Sequence, residues 1–192
     1  MFPQTAAQWH AVLNDFPSLL FVLALAFDLT AEVTKRESLR AAGFLTLVVG
    51  AGGALAAVLS GLRAEDTIER GGSVHMILAR HETLAISVAV LFVGLAAWRI
   101  WRRGNLGPAE RPIFLSISGV GVLVLLWTAR IGGTIVYEYG GGIPTPVMQG
   151  ALEERTTGRT HAEGEEHEGD EAAGEAEPDH VDPPGTPEHE HD

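Results

Sequence analysis

Histidines, carboxylates and arginines set beside long apolar runs are the groups in this sequence with chemistry to offer. His10 and Asp15 lead into one apolar run, His75, Arg80, His81 and Glu82 open another, and Arg130, Tyr137 and Glu138 close a third. Neutral imidazole ligates haem iron and divalent metals. A bis-histidine haem b site therefore needs His10 and either His81 or His75 on facing helices at equal depth. His75 and His81 cannot both face one partner, because six residues turn a helix by about 240°. The same groups also suit an interfacial ion-pair layer in which Arg80 and Arg130 neutralise Asp15, Glu82 and Glu138.

Two further features bear on chemistry. Asp28 interrupts an apolar stretch and lies roughly 16 Å from Pro17 along a straight helix. A carboxylate at that depth has to be paired, protonated or hydrated. It serves either as an intramembrane site, such as the centre of an ion or solute carrier, or as the partner of Lys35 or Arg36 if its helix starts earlier, near His10. His81-Glu82 opens like a zinc-protease motif, but Ala85 stands where the second histidine is required. No phosphate loop, nucleophile elbow or dinucleotide fingerprint occurs, so no enzyme signature is present.

The elements that must position these groups are apolar helices. Ala41 to Leu62 is a run of 22 residues without a charge, about 33 Å as a helix against a hydrocarbon core of about 30 Å. Pro112 to Ala129 is a second such run, of 18 residues. Thr83 to Trp98 spans when extended backwards to Val74, and Phe16 to Phe27 spans when lengthened at both ends. Gly50, Gly53, Ala57 and Gly61 recur at spacings that let a neighbouring helix approach closely, and Ser116, Ser118, Gly119 and Gly121 do the same in the last span. Residues 1 to 15 carry no Lys or Arg, so the first span does not read as a cleaved secretory signal.

Charge sets the expected orientation. Lys35, Arg36 and Arg40 lie in the first connection and Arg99, Arg102, Arg103 and Arg111 in the third, against only Arg63 and Arg70 in the second and none before the first span. The positive-inside rule then puts both termini outside the cytoplasm. Trp98 and Trp101 fall at the inner interface, and Trp9, Tyr137 and Tyr139 at the outer one. The polar groups described first form an outer rim.

All the net acidity sits at the C-terminal end. Residues 151 to 192 hold 15 acids and two arginines, whereas residues 1 to 150 hold 10 acids and 11 bases. This tail contains His161, His167, His180, His189 and His191 among Glu, Asp, Gly and Pro, so it is expected to be disordered and to bind zinc, nickel or copper weakly, or simply to be solvated. The absence of a basic patch and the acidic tail argue against nucleic acid. No cysteine is present, which excludes disulfides, thiolate metal sites and covalent c-type haem.

The order of features resembles a family of bacterial membrane proteins, domain of unknown function 2231. The opening His10-Ala11-Val12-Leu13-Asn14-Asp15-Phe16-Pro17 is similar to the family's His-Pro-x-x-Val-His-Phe-Pro, and Phe27-Asp28-Leu29 follows as in that pattern. The segment from Gly132-Gly133 through Val136 and Tyr137 to Gly140 resembles its closing Gly-Gly-x-Leu-Val-Tyr-x-x-Gly, and His81 its third-helix histidine. Asp15 replaces the second opening histidine, which removes one potential haem ligand and leaves a carboxylate. The resemblance implies four membrane helices over about residues 10 to 143. Similar modules fused to electron-transfer domains add weight to haem.

The expectation is an all-α integral membrane protein of the bacterial inner membrane. It divides into an outward segment at 1–15, a four-helix transmembrane domain at 16–143, and a linker with a disordered, acidic, His-rich tail at 144–192. The leading functional reading is a non-enzymatic membrane protein with a polar outer site and a tail that can bind metal. The alternative is a haem b electron-transfer subunit. Expected partners are the bilayer, divalent ions at the tail, and either a second copy or an electron-transfer protein.

Overall fold

The computed structural model describes residues 5–66 and 72–157. Four long helices, α1 (Ala6–Thr34), α2 (Glu37–Glu65), α3 (Gly72–Trp101) and α4 (Glu110–Tyr137), are followed by a short α5 (Thr145–Thr157). The four long helices are each long and apolar enough to cross a membrane. The five histidines of the acidic tail lie outside the described residues.

Two boundaries differ from those expected. Helix α1 begins at Ala6, so most of the segment expected as an outward extension is helical. A capping box starts it: the Thr5 hydroxyl accepts from Gln8 N at 3.2 Å, and Gln8 Oε1 accepts from Thr5 N at 3.3 Å. Thr5→Ala is expected to cost about 1 kcal/mol, readable as a lowered unfolding midpoint in detergent micelles. Residues 145–157, expected as linker and tail, form α5. Pro146 suits the first turn of a helix, and Met148, Gln149, Ala151, Leu152, Glu153 and Glu154 are good helix formers.

α1 packs against α2 and α4, and α3 against the same two, so α1 and α3 stand diagonally across the bundle. The small-residue stripe of α2 faces α1: Gly50 meets Phe21, Gly53 meets Phe16 and Pro17, and Gly61 meets His10. A side chain at Gly50 would put its first carbon 2.9 Å from the Phe21 ring. In α4, Gly121 packs on Leu91 and Phe92, whereas Gly119 faces open space and serves no contact. Leu19, Leu45, Val49, Leu59, Val90, Leu123 and Trp127 are exposed on the outside of the bundle, where lipid tails solvate them.

The bundle is built from one helical hairpin used twice. All seven buried positions of α2, from Gly43 to Ala64, map onto the seven buried positions of α4, from Phe114 to Ile135, at a constant offset of 71 residues. In the first and third helices, Pro17, Phe21, Ala24 and Asp28 map in the same way onto the buried Val88, Phe92, Leu95 and Arg99. The quasi-two-fold axis runs along the bundle, because α1 and α3 point the same way. Phe21 and Phe92 are partners under it, and their rings stack at 3.9 Å with 8° between planes.

Candidate functional site

The bundle has two polar ends separated by the Phe21–Phe92 stack. At the end where α1 and α3 begin, His10 and His81 occupy equivalent positions in the two hairpins. His10 Nδ1 lies 3.0 Å from the Ala57 carbonyl, with Ser60 Oγ at 3.3 Å. His81 Nδ1 lies 3.2 Å from the Thr128 carbonyl. A carbonyl only accepts, so Nδ1 carries the hydrogen in both rings, and in the neutral imidazole Nε2 keeps its lone pair. Each ring also covers a glycine at the next turn: a first carbon added at Gly61 or Gly132 would sit 3.0 Å from the Cε1 of His10 or His81 respectively. Each hairpin thus fixes its own histidine by the same device.

Both rings line a chamber of about 560 Å3 between the hairpins. That volume falls in the range of sites for small molecules and cofactors, about 300–1,000 Å3. Its walls are mainly apolar and small, with Ala54, Ala57, Ala85 and Ala129 among them. Two neutral imidazoles with fixed rings and available Nε2 atoms can ligate a metal held between them, or accept hydrogen bonds from a bound molecule.

The other rim candidates separate. Asp15, Glu82 and Tyr137 line the chamber, though Asp15 and Tyr137 are largely exposed. His75 is exposed and does not line it, so His81 is the histidine of α3 that turns inward. Arg130 lies over the Trp127 ring at 5.5 Å, and Glu138 accepts from Thr134 Oγ1 at 3.4 Å. Among the described residues no ion pair joins Arg80 or Arg130 to Asp15, Glu82 or Glu138. The expected ion-pair layer does not form among the described residues, where both arginines are exposed. Nor do three or more His, Cys, Asp or Glu side chains converge into a metal-binding group among the described residues.

At the opposite end Asp28 is buried, and its partner is Arg99 of α3 rather than Lys35 or Arg36. The pair is bidentate: Arg99 Nη2 donates to Asp28 Oδ1 at 2.8 Å, and Nη1 donates to Oδ2. Arg99 Nη2 also donates to the Arg40 carbonyl at 2.9 Å, and the guanidinium lies between the Phe44 and Phe114 rings at 5.7 and 5.3 Å. Lys35 instead reaches Glu32 at 3.4 Å. A buried Asp28 paired through both oxygens with Arg99 is poorly placed to carry ions.

A family model described as "Predicted membrane protein (DUF2231)" matches residues 7–145, most of the chain. The chain belongs to the DUF2231 family. No curated protein and no solved structure matches it. Membership agrees with the four membrane-length helices and gives meaning to the DUF2231 pattern residues. His10 and His81 face the chamber, Gly132 makes room for the His81 ring, Pro17 is buried beside Gly53, and Asp28 forms the buried ion pair. Arg99, the Phe21–Phe92 stack and the anchoring carbonyls of Ala57 and Thr128 had no place among the expected DUF2231 site residues. The recurrence of His, Phe, Arg and Gly at an interval of 71 (His10 and His81, Phe21 and Phe92, Arg40 and Arg111, Gly50 and Gly121, Gly61 and Gly132) is the signal that pairs Phe21 with Phe92, whereas Arg99 and Thr128 fall at that interval from residues of another type, Asp28 and Ala57.

Proposed function

We propose that this membrane protein is an electron-carrying subunit whose chamber takes haem b, with His10 and His81 as the residues that would hold its iron. The observation that carries the reading is the equivalence of the two imidazoles. They sit on diagonal helices at the same level, and each has Nδ1–H tied to a backbone carbonyl, which leaves Nε2 for iron. Such a bond to the far ring nitrogen fixes the tautomer, orients the ring and raises its basicity as a ligand. Haem supplies one-electron exchange. The chain's part is to hold the two imidazoles, to exclude water with apolar walls, and to leave space through Gly61 and Gly132. An absorption spectrum of the purified protein with metal analysis tests it: a Soret band and stoichiometric iron are expected, and a colourless, metal-free protein made with ample haem supply would overturn it.

The chamber then lies at the outer face of the bacterial inner membrane, with both termini outside the cytoplasm, in keeping with the basic first and third connections. Single cysteines at Gln4 and Gly174 should label with an impermeant reagent in intact cells stripped of any outer membrane. Labelling of a cysteine at Asn105 instead would reverse the orientation.

The tail histidines, His161, His167, His180, His189 and His191, with the surrounding acids, form a weak multivalent site for zinc, nickel or copper. Calorimetry on the full chain should show binding that is lost below about pH 6, when imidazole protonates. Equal heats from a chain lacking residues 158–192 would remove the tail from that role.

A further inference from the structure

The two hairpins present their histidines in the same way with one exception. Besides the Ala57 carbonyl, His10 Nδ1 has a second neighbour, Ser60 Oγ at 3.3 Å. The position equivalent to Ser60 in the second hairpin, 71 residues on, is Ile131, whose side chain has no polar atom. The Thr128 hydroxyl does not replace it, because it donates to the Val124 carbonyl at 2.8 Å. Among the described residues His81 Nδ1 is left with the Thr128 carbonyl alone.

The direction of the extra bond follows from the inventory of hydrogens. Ser60 Oγ donates its one hydrogen to the Ala57 carbonyl at 2.9 Å, so toward His10 it can only accept. The Nδ1–H of His10 is therefore shared between a carbonyl and a hydroxyl oxygen. A hydroxyl that is already donating is the better acceptor for it, since chained hydrogen bonds polarise one another. Ser60 is half-buried and does not line the chamber, so whatever it does there passes through the His10 ring.

We propose that Ser60 is a positioning residue that makes His10 the stronger of the two iron donors and thereby lowers the reduction potential of the haem site. This rests on the haem reading given above. A second acceptor at the far ring nitrogen pushes electron density toward Nε2, and a stronger donor favours the oxidised, more positive iron. The repeat supplies a control within the same chain: Ile131→Ser puts a hydroxyl three residues after Thr128, as Ser60 stands three after Ala57.

The full chain loaded with haem is titrated potentiometrically, and its Ser60→Ala variant should favour the reduced form about threefold. That is a rise of about 28 mV at 59 mV per tenfold for one electron. Ser60→Thr keeps the hydroxyl and should keep the wild-type potential, whereas Ile131→Ser should lower it. A second readout needs no haem: in the empty protein the His10 Nδ1–H proton resonance should move upfield in Ser60→Ala while that of His81 stays in place. No Soret band in the wild type overturns the haem reading, and the effect on potential with it. A Soret band with a potential unmoved in Ser60→Ala, or moved without the His10 resonance, overturns the role of Ser60 alone.

Discussion

Replacing Asp28 by Ala with Arg99 left in place should destabilise the bundle by about 3–5 kcal/mol, the largest effect expected of any single substitution. The loss comes from the group left behind. Arg99 is 3% exposed and enclosed by Phe44 and Phe114, so its guanidinium cannot reach water without displacing the core. Removing both charges, as in Asp28→Leu with Arg99→Met, should recover most of that loss, because two apolar side chains need no partner. Unfolding in mixed micelles by denaturant distinguishes the two cases. Equal destabilisation by the single and the double change would mean that shape, not charge, holds this end together.

The second large effect is spectroscopic. If the chamber holds haem as proposed, His10→Ala and His81→Ala should each abolish its Soret band, and to the same extent, because each hairpin presents its histidine in the same way. His75→Ala, an exposed position about one and two-thirds turns away, should leave the spectrum unchanged. A bulky residue at Gly132 offers an independent check, since it must push the His81 ring out of place. Gly132→Val should therefore shift the Soret band even with both ligands present. If His81→Ala alone changes the spectrum, the second ligand is not His10 and the symmetric arrangement is wrong.

The four spans were legible because a charge-free run of membrane length has few other uses, and the resemblance to DUF2231 rested on motifs at both ends of them. The start of α1 was not legible from hydropathy, since Gln8, His10, Asn14 and Asp15 dilute its first turns. The Thr5–Gln8 capping box was the local signal available. The partner of Asp28 was hidden for a different reason. Arg99 adjoins Trp98, where the apolar run ends, so it counts naturally among the basic residues of a connection, yet α3 continues to Trp101 and turns Arg99 inward. Pairing across 71 residues is a property of the packed bundle and not of any local pattern. His10 and His81 were legible as ligand types, but which of His75 and His81 faced inward depended on the helix phase.

The parallel sense of the repeat bears on how the chain enters the bilayer. Because the second hairpin repeats the first without inversion, the turn at Lys35 and Arg36 and the loop around Arg102 and Arg103 emerge on one side of the membrane. In the proposed orientation each hairpin therefore carries its own cytoplasmic retention signal, and the two agree. Neutralising the cations of one turn leaves the other still voting for the same insertion. A mixed population of upright and inverted molecules would require both to be erased together.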